Sequence, residues 1–313
     1  MQLITNRSEK TVESCVATIG FFDGVHVGHQ ALIRQVKAIA DARQLKSALV
    51  TFPIHPRKVM QSSFCPELLT TPNEKVYWLS RNEVDYCFML DFTPDLASLS
   101  AEEFMREVLK KQYHVACLVI GYDHRFGHNR SETFEDYVRY GAAIGMEVVL
   151  AEAYASPSVT QNGLVVNVSS SLIRELLHRG EVEMAGRALG YDYTLSGTVV
   201  SGYQMGRKIG FPTANIALGD PDKLLPRDGV YAVRVEVDHA LYKGMLNIGV
   251  RPTMDNGSQR SVEVHILGFD GDIYDHSIRL SFVKRLRDEK KFDGIDQLIA
   301  QLHLDAEAAD RAL

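Results

Sequence analysis

The sequence predicts an α/β, doubly wound parallel-sheet domain followed by an antiparallel β-barrel with a C-terminal helix. Three observations carry that expectation. Short apolar runs alternate with helical patterns up to about residue 190, which implies parallel crossover units covered on both faces. A glycine-rich corner, Gly20-Phe21-Phe22-Asp23-Gly24-Val25-His26-Val27-Gly28-His29, stands where the first buried run turns into an amphipathic helix. Beyond residue 190 the pattern changes to turns and alternating strands, with no long helix until the end.

Taken in order, the candidate strands of the first part are 16–19, 48–52, 86–90, 117–121, 147–150 and 164–168. Helical spacing is expected at 29–43, 73–82, 101–112, 132–143 and 171–188. In the first of these helices Leu32, Ile33, Val36, Ile39 and Ala40 recur at helical spacing. Trp78 falls in a helical pattern and reads as packing. In the second part the run 230–237 puts Tyr231, Val233, Val235 and Val237 on one face. The runs 261–267 and 278–282 alternate similarly, and a final helix is expected over about 294–303. The 180–190 region reads as the junction, giving domains 1–185 and 186–313.

With 313 residues the chain is long enough for two cores. A net charge of -6 gives no support to nucleic-acid binding, so any anion must be held by local groups. No apolar run approaches membrane-spanning length, and the start lacks the core of a signal peptide; a cytoplasmic protein with no membrane partner is expected. Cys15, Cys65, Cys87 and Cys117 are scattered, without metal-ligand or disulfide spacing, and read as reduced structural thiols.

The corner at 20–29 suits phosphate. Its glycines permit close backbone approach, and the first turn of the helix leaves unpaired N–H groups at a positive dipole end. His26 and His29 can both donate to one bound anion. Ser169, Ser170 and Ser171 open another helix, where hydroxyls cap N–H groups and Arg174 adds a bidentate cation. A serine-capped helix without ligand is the alternative there. Gly202, Gly206, Arg207 and Lys208 form a basic glycine loop that could cover phosphates or simply be an exposed hairpin. Alternation along Ser261-Val262-Glu263-Val264-His265-Ile266 places Glu263 and His265 opposite Val262, Val264 and Ile266. His55 reads as a loop histidine satisfied by backbone.

Phe22-Asp23-Gly24-Val25-His26-x-Gly28-His29 resembles the signature of the nucleotidyltransferase superfamily, in the wording of the bifunctional riboflavin kinase/FMN adenylyltransferase family. Thr51-Phe52-Pro53-Ile54-His55-Pro56, Gly121-Tyr122-Asp123-His124-Arg125-Phe126-Gly127 and Val168-Ser169-Ser170-Ser171-Leu172-Ile173-Arg174 are similar to further family segments. His124 stands where the family usually has phenylalanine, and Glu132 where glycine is common. In the second half, Pro212-Thr213-Ala214-Asn215, Val262-Glu263-Val264-His265-Ile266 and Leu286-Arg287-Asp288-Glu289-Lys290-Lys291-Phe292 resemble the kinase half, so the resemblance runs almost end to end.

The resemblance implies a nucleotidyltransferase domain and a riboflavin kinase domain. The kinase would make FMN from riboflavin and ATP, and the front domain would adenylylate FMN to FAD. It implies adenylyltransferase ATP contacts at Gly20, Phe21, Asp23, Gly24, Gly28, Ser170, Ser171 and Arg174, with His26 and His29 catalytic. Asp123 and Phe126 would lie at the flavin. In the kinase half it implies ATP contacts at Gly202, Gly206, Arg207 and Lys208, Mg²⁺ at Thr213 and Asn215, and Glu263 as general base. Riboflavin, FMN and ATP are the expected small-molecule partners, and a homo-oligomer is left open. His124 and Glu132 motivate one alternative, a riboflavin kinase whose front domain has become a flavin- or nucleotide-binding module. A different cytidylyl- or adenylyltransferase with an appended barrel is disfavoured by the Pro-Thr-Ala-Asn and Glu263 segments.

Overall fold

The computed structural model describes every residue except 6–11, 61–65, 122–123, 129, 155, 157–158, 162–163, 203–204 and 253–257. Cys65, Tyr122 and Asp123 therefore lie outside the described residues. The chain divides into two compact units, Met1–Val168 and Ser169–Leu313. No described helix is long and apolar enough to cross a membrane.

The first unit is built on six parallel strands: β1 (Gln2–Thr5), β2 (Cys15–Ile19), β3 (Lys46–Thr51), β4 (Tyr86–Met89), β5 (Val115–Ile120) and β6 (Glu147–Leu150). Their order is β1-β4-β3-β2-β5-β6, with every pairing parallel. β2 is buried along its whole length, as an apolar strand covered on both faces must be. The chain passes from β2 outward through β3 to β4, then returns to β5 on the other side of β2. The corner at 20–26 thus leaves the carboxyl end of a strand at the reversal of strand order, where open α/β sheets bind ligands.

Helix α1 (Val27–Ala42) buries Ala31, Ile33, Val36 and Ala40, and α2 (Pro72–Ser80) opens on a reciprocal Thr71–Glu74 capping box. The expected helix at 101–112 forms as α3 (Ala101–Glu103) continuing into a wider π-helix over Phe104–Gln112. Helix α4 spans Phe134–Ala143. Cys15, Cys87 and Cys117 are buried free thiols, and burial pushes the first two up to about 12, so they are inert.

One expected strand changes its place, and one strand was not expected. The 164–168 run is not a strand of the main sheet: Leu164–Val165 (β8) pairs antiparallel with Thr160–Gln161 (β7). The intervening sequence, Asn162-Gly163, is a strong short-range hairpin signal. β1 adds an edge strand that its four residues, with only Ile4 buried, scarcely advertise.

In the second unit the expected continuous helix at 171–188 is two, α5 (Ser170–Arg179) and α6 (Val182–Leu189). Gly180 separates them at φ 79°. Its N–H donates to Leu177 O and that of Glu181 to Leu176 O, the double bond pattern of a glycine-terminated helix. Strands β9 (Tyr193–Val200), β10 (Ala214–Leu218), β11 (Gly229–Val237), β12 (Ala240–Pro252), β13 (Ser258–Ile266) and β14 (Ser277–Arg287) close an antiparallel barrel in the order β10-β13-β12-β11-β14-β9.

On β11, Tyr231, Val233, Val235 and Val237 fill the interior as expected. Ala232 on the opposite face is also buried, because α7 (Ile295–Ala312) covers it in a cluster with Phe211, Met245 and Ala309. That cover explains why α7 runs well past residue 303. Asp305 of α7, only 3% exposed, accepts from Arg287 Nε at 2.9 Å and Nη2 at 2.6 Å, and from Gln301 Nε2 at 2.9 Å. Removing one partner of such a pair strands the other, so Asp305→Ala is expected to destabilise the barrel by about 3 kcal/mol. Urea unfolding of the full chain checks this; an unchanged midpoint would contradict the role assigned to the pair.

Candidate active sites

The corner after β2 is a strained turn. Phe22, Gly24 and Val25 have φ of 54°, 78° and 38°, values costly for an aromatic and a β-branched residue. Asp23 holds the turn in place. Its carboxylate accepts from the N–H groups of Leu69 (3.0 Å) and Thr70 (3.0 Å) and from Thr70 Oγ1 (3.1 Å), while Gly24 N–H donates to Thr70 Oγ1. Phe22 and Val25 pack with Ile33, Leu49 and Leu79, and Trp78 lies partly buried against them, as packing. Asp23, grouped by resemblance with the ATP contacts, is 3% exposed and spends these bonds on the backbone of 69–70.

His26 caps α1, its Nδ1 accepting from His29 N–H at 3.3 Å. That bond puts the proton of a neutral ring on Nε2. The His26 and His29 rings stack at 3.6 Å and 17°. Gly28 keeps this possible, since a Cβ there would lie 3.2 Å from the His26 ring. Burial, then the charges of His26, His124 and Lys75, hold the His29 imidazole well below the usual histidine range. His124 therefore belongs to the electrostatic surroundings of His29. Sequence alone could not have placed it there.

The other front-domain residues fall in several places. Phe21 sits edge-on to His55 at 4.6 Å, and His55 Nδ1 accepts from Arg57 N–H, the satisfied loop histidine expected. Phe126 is 8% exposed and stacks on Tyr137 at 4.5 Å in the core of the unit. Lys75 gave no signal in the sequence, yet it is 1% exposed beneath the corner. In the second unit, Ser169 Oγ caps α5 by accepting from Leu172 N–H at 3.2 Å. Ser170 and Ser171 therefore occupy the first turn, and Arg174 is half-buried one turn on.

The barrel carries a separate constellation. Asn215 on β10 and Asn247 on β12 are both register partners of Glu263 on β13. Val262, Val264 and Ile266 are buried as the alternation predicts. Glu263 faces a cavity of about 250 Å³ that Thr213, Asn247, His265 and Glu289 also line. Ser261 Oγ donates to Glu263 Oε1 at 3.3 Å, and His265 Nδ1 lies 2.7 Å from Pro212 O. A second cavity of about 280 Å³ is lined by Arg207, Thr213, Phe269 and Tyr274, so Thr213 stands at both. Gly202 and Gly206 allow close approach: a Cβ on either would collide, with the Asn215 amide and with Phe211 O respectively. Lys208 is exposed.

Comparison with known proteins divides along the same lines. A FAD synthetase family model matches residues 8–162 and a riboflavin kinase model residues 189–313. A bifunctional riboflavin kinase/FMN adenylyltransferase of Listeria monocytogenes is 37% identical over 291 residues, covering 93% of this chain and 90% of its own. One from Haemophilus influenzae is 33% identical over 99% of this chain and 98% of its own. The chain belongs to the bifunctional riboflavin kinase/FMN adenylyltransferase family. A solved structure described as a macrolide-efflux protein from Streptococcus pneumoniae is similar at TM-score 0.86 and 33% identity over 98% of each chain. The stacked histidines fall inside the family's FAD synthetase match, and Glu263 inside its riboflavin kinase match.

A histidine held below its ordinary value binds fewer protons in the folded than in the unfolded chain. Its contribution to stability is present above pH about 6.5 and is lost as pH falls below that value. Lowering the pH from 7.5 to 5.5 is therefore expected to reduce the thermal midpoint more in the native sequence than in His29→Gln. The difference corresponds to about 1 kcal/mol. Equal reductions would contradict a neutral His29.

Proposed function

We propose that this chain performs both reactions of its family: phosphorylation of riboflavin to FMN in the barrel, then adenylyl transfer from ATP to FMN, giving FAD and pyrophosphate, in the α/β unit. The observation that carries the reading is the union, in one chain matched end to end by bifunctional relatives, of a stacked histidine pair at a strand-end helix start and a cavity-facing Glu263 with amides in register on both sides. The functional division is assigned to 1–185 and 186–313. A cytoplasmic location suits substrates of this kind.

For FMN formation, Glu263 takes the proton of the ribityl 5′-hydroxyl as that oxygen bonds to the γ-phosphorus of ATP and the bond to ADP breaks. The cavity at Glu263 is assigned to riboflavin, and the one lined by Arg207 and Tyr274 to ATP. Gly202, Gly206, Arg207 and Lys208 are assigned to the ATP phosphates. Thr213 and Asn215 offer neutral hard oxygens. Among the described residues no group of three His, Cys, Asp or Glu could hold a metal unaided. Such a donor set fits Mg²⁺, which takes few protein ligands and fills its shell with phosphate and water. When bound, Mg²⁺ supplies charge neutralisation on the phosphates.

For FAD formation, an oxygen of the FMN phosphate bonds to the α-phosphorus of ATP as the bond to pyrophosphate breaks. His26 and His29 donate to the charge that grows there, with Gly20, Phe21, Gly24 and Gly28 leaving the backbone near the phosphates. Asp23 acts by fixing the turn. Ser170, Ser171 and Arg174 are assigned to ATP phosphates on the family resemblance. Asp123 and Phe126 are assigned to the flavin side, Phe126 as a buried support.

Glu263→Gln is expected to lower FMN formation by about 10²–10⁴ while FAD formation from supplied FMN persists. His29→Ala is expected to lower FAD formation by about 10²–10³ while FMN formation persists. Parallel loss of both activities in either variant, measured with each flavin supplied separately, would contradict two independent sites.

A further inference from the structure

A lysine with 1% of its surface exposed is an expensive residue to keep, and Lys75 has no hydrogen bond to a carboxylate among the described residues. Its ammonium is nevertheless fully engaged. Nζ donates to Phe21 O at 3.1 Å and to Phe52 O at 2.5 Å, and it lies 3.8 Å from the centre of the Phe21 ring. Three donor directions thus meet two carbonyls and one aromatic face. The two carbonyls are not equivalent pieces of core. Phe21 belongs to the strained corner after β2, and Phe52 follows β3 directly. Thr51 Oγ1 also donates to Phe21 O, at 3.2 Å. Lys75 is the fourth residue of α2, next to the Glu74 of its capping box, and that capped first turn fixes its root.

A methionine would fill the same volume with no charge to desolvate. Retention of the charge therefore calls for something a methionine cannot do, and two features supply it. The ammonium ties together the carboxyl ends of two adjacent strands beside the reversal of strand order. Its charge also reaches the His29 imidazole.

Resting on the adenylyltransferase reading, we propose that Lys75 is a positioning residue for adenylyl transfer, its buried ammonium fastening the turn that carries His26 and His29 to the end of β3. Lys75 need not touch substrate. It sets the place of the two imidazoles, and a misplacement of about 1 Å in such a site is enough to cost about 10²-fold in rate. Deprotonation would weaken the fastening, because the neutral amine loses the charge that strengthens both carbonyl bonds and the contact with the Phe21 ring. Burial pulls the ammonium down to about 8, with Asp23 in the turn and Cys87 on β4 opposing. His29 on α1 is the other titratable group coupled to it.

The test follows FAD formation from FMN across pH 6.5–9.5 in the full-length native chain and in Lys75→Met, with FMN formation from riboflavin as the control for the barrel and thermal unfolding of both chains as the control for folding of the α/β unit. In the native chain, FAD formation should decline above pH about 8 while FMN formation does not. In Lys75→Met, kcat for FAD formation at pH 7.5 should fall by about 10²-fold with little change in KM, the alkaline decline should disappear, and FMN formation should persist. FAD formation in the variant within twofold of native, with the alkaline decline intact, overturns the role. Should the variant fail to fold, the native profile decides: a flat profile to pH 9.5 overturns it and a decline confined to FAD formation supports it. A native chain that makes no FAD from FMN overturns the adenylyltransferase reading itself, and the role with it.

Discussion

At the end of β2 the chain must leave a fully buried strand, reverse within a few residues and start a helix, and it does so through three residues in the left-handed region. Two of them, Phe22 and Val25, have side chains that resist it, at an expense of about 1–3 kcal/mol each. The Asp23 carboxylate, taking bonds from two backbone amides and a hydroxyl at 69–70, keeps that conformation closed, and burial of the Phe22 and Val25 side chains adds to it. The position of His26, the cap it gives α1 and the stacking of His29 on it all follow from this turn. Asp23, which the sequence groups with the ATP contacts, thus also holds the turn that carries the histidines.

The barrel solves its own problem by register rather than strain. Antiparallel pairing brings Asn215 and Asn247 level with Glu263, on the strands flanking β13. Alternation does the rest, because a strand that buries Val262, Val264 and Ile266 must turn Glu263 the other way. The Arg287–Asp305 pair ties α7 to the end of β14, and both residues line the cavity that Glu263 faces. The carboxylate is thereby neither buried in the apolar core nor a solvated surface charge.

Much of this was legible in the sequence because it depends on period and punctuation. The change from helical spacing to strict alternation near residue 190 announced two architectures, and the glycines and histidines at 20–29 announced a corner. Gly180 after His178 and Arg179 was a readable stop that the continuous apolar spacing masked. Asn162-Gly163 was a readable hairpin set against a run long enough to pass for a sheet strand. Lys75, the surroundings of Phe126 and the coupling of His124 to His29 were not readable at all. Each depends on which distant segments the sheet order brings together, and a lysine on a helix looks the same in sequence whether it meets water or two carbonyls.

One chain that makes FMN at one site and consumes it at another should show both steps in a single reaction. A time course with riboflavin, ATP and Mg²⁺, its flavins separated by chromatography, tests it most directly. FMN is expected first, and FAD then accumulates after a lag, with pyrophosphate formed in step with FAD. Stoichiometric accumulation of FMN with no FAD would contradict it and leave the α/β unit as a binding module.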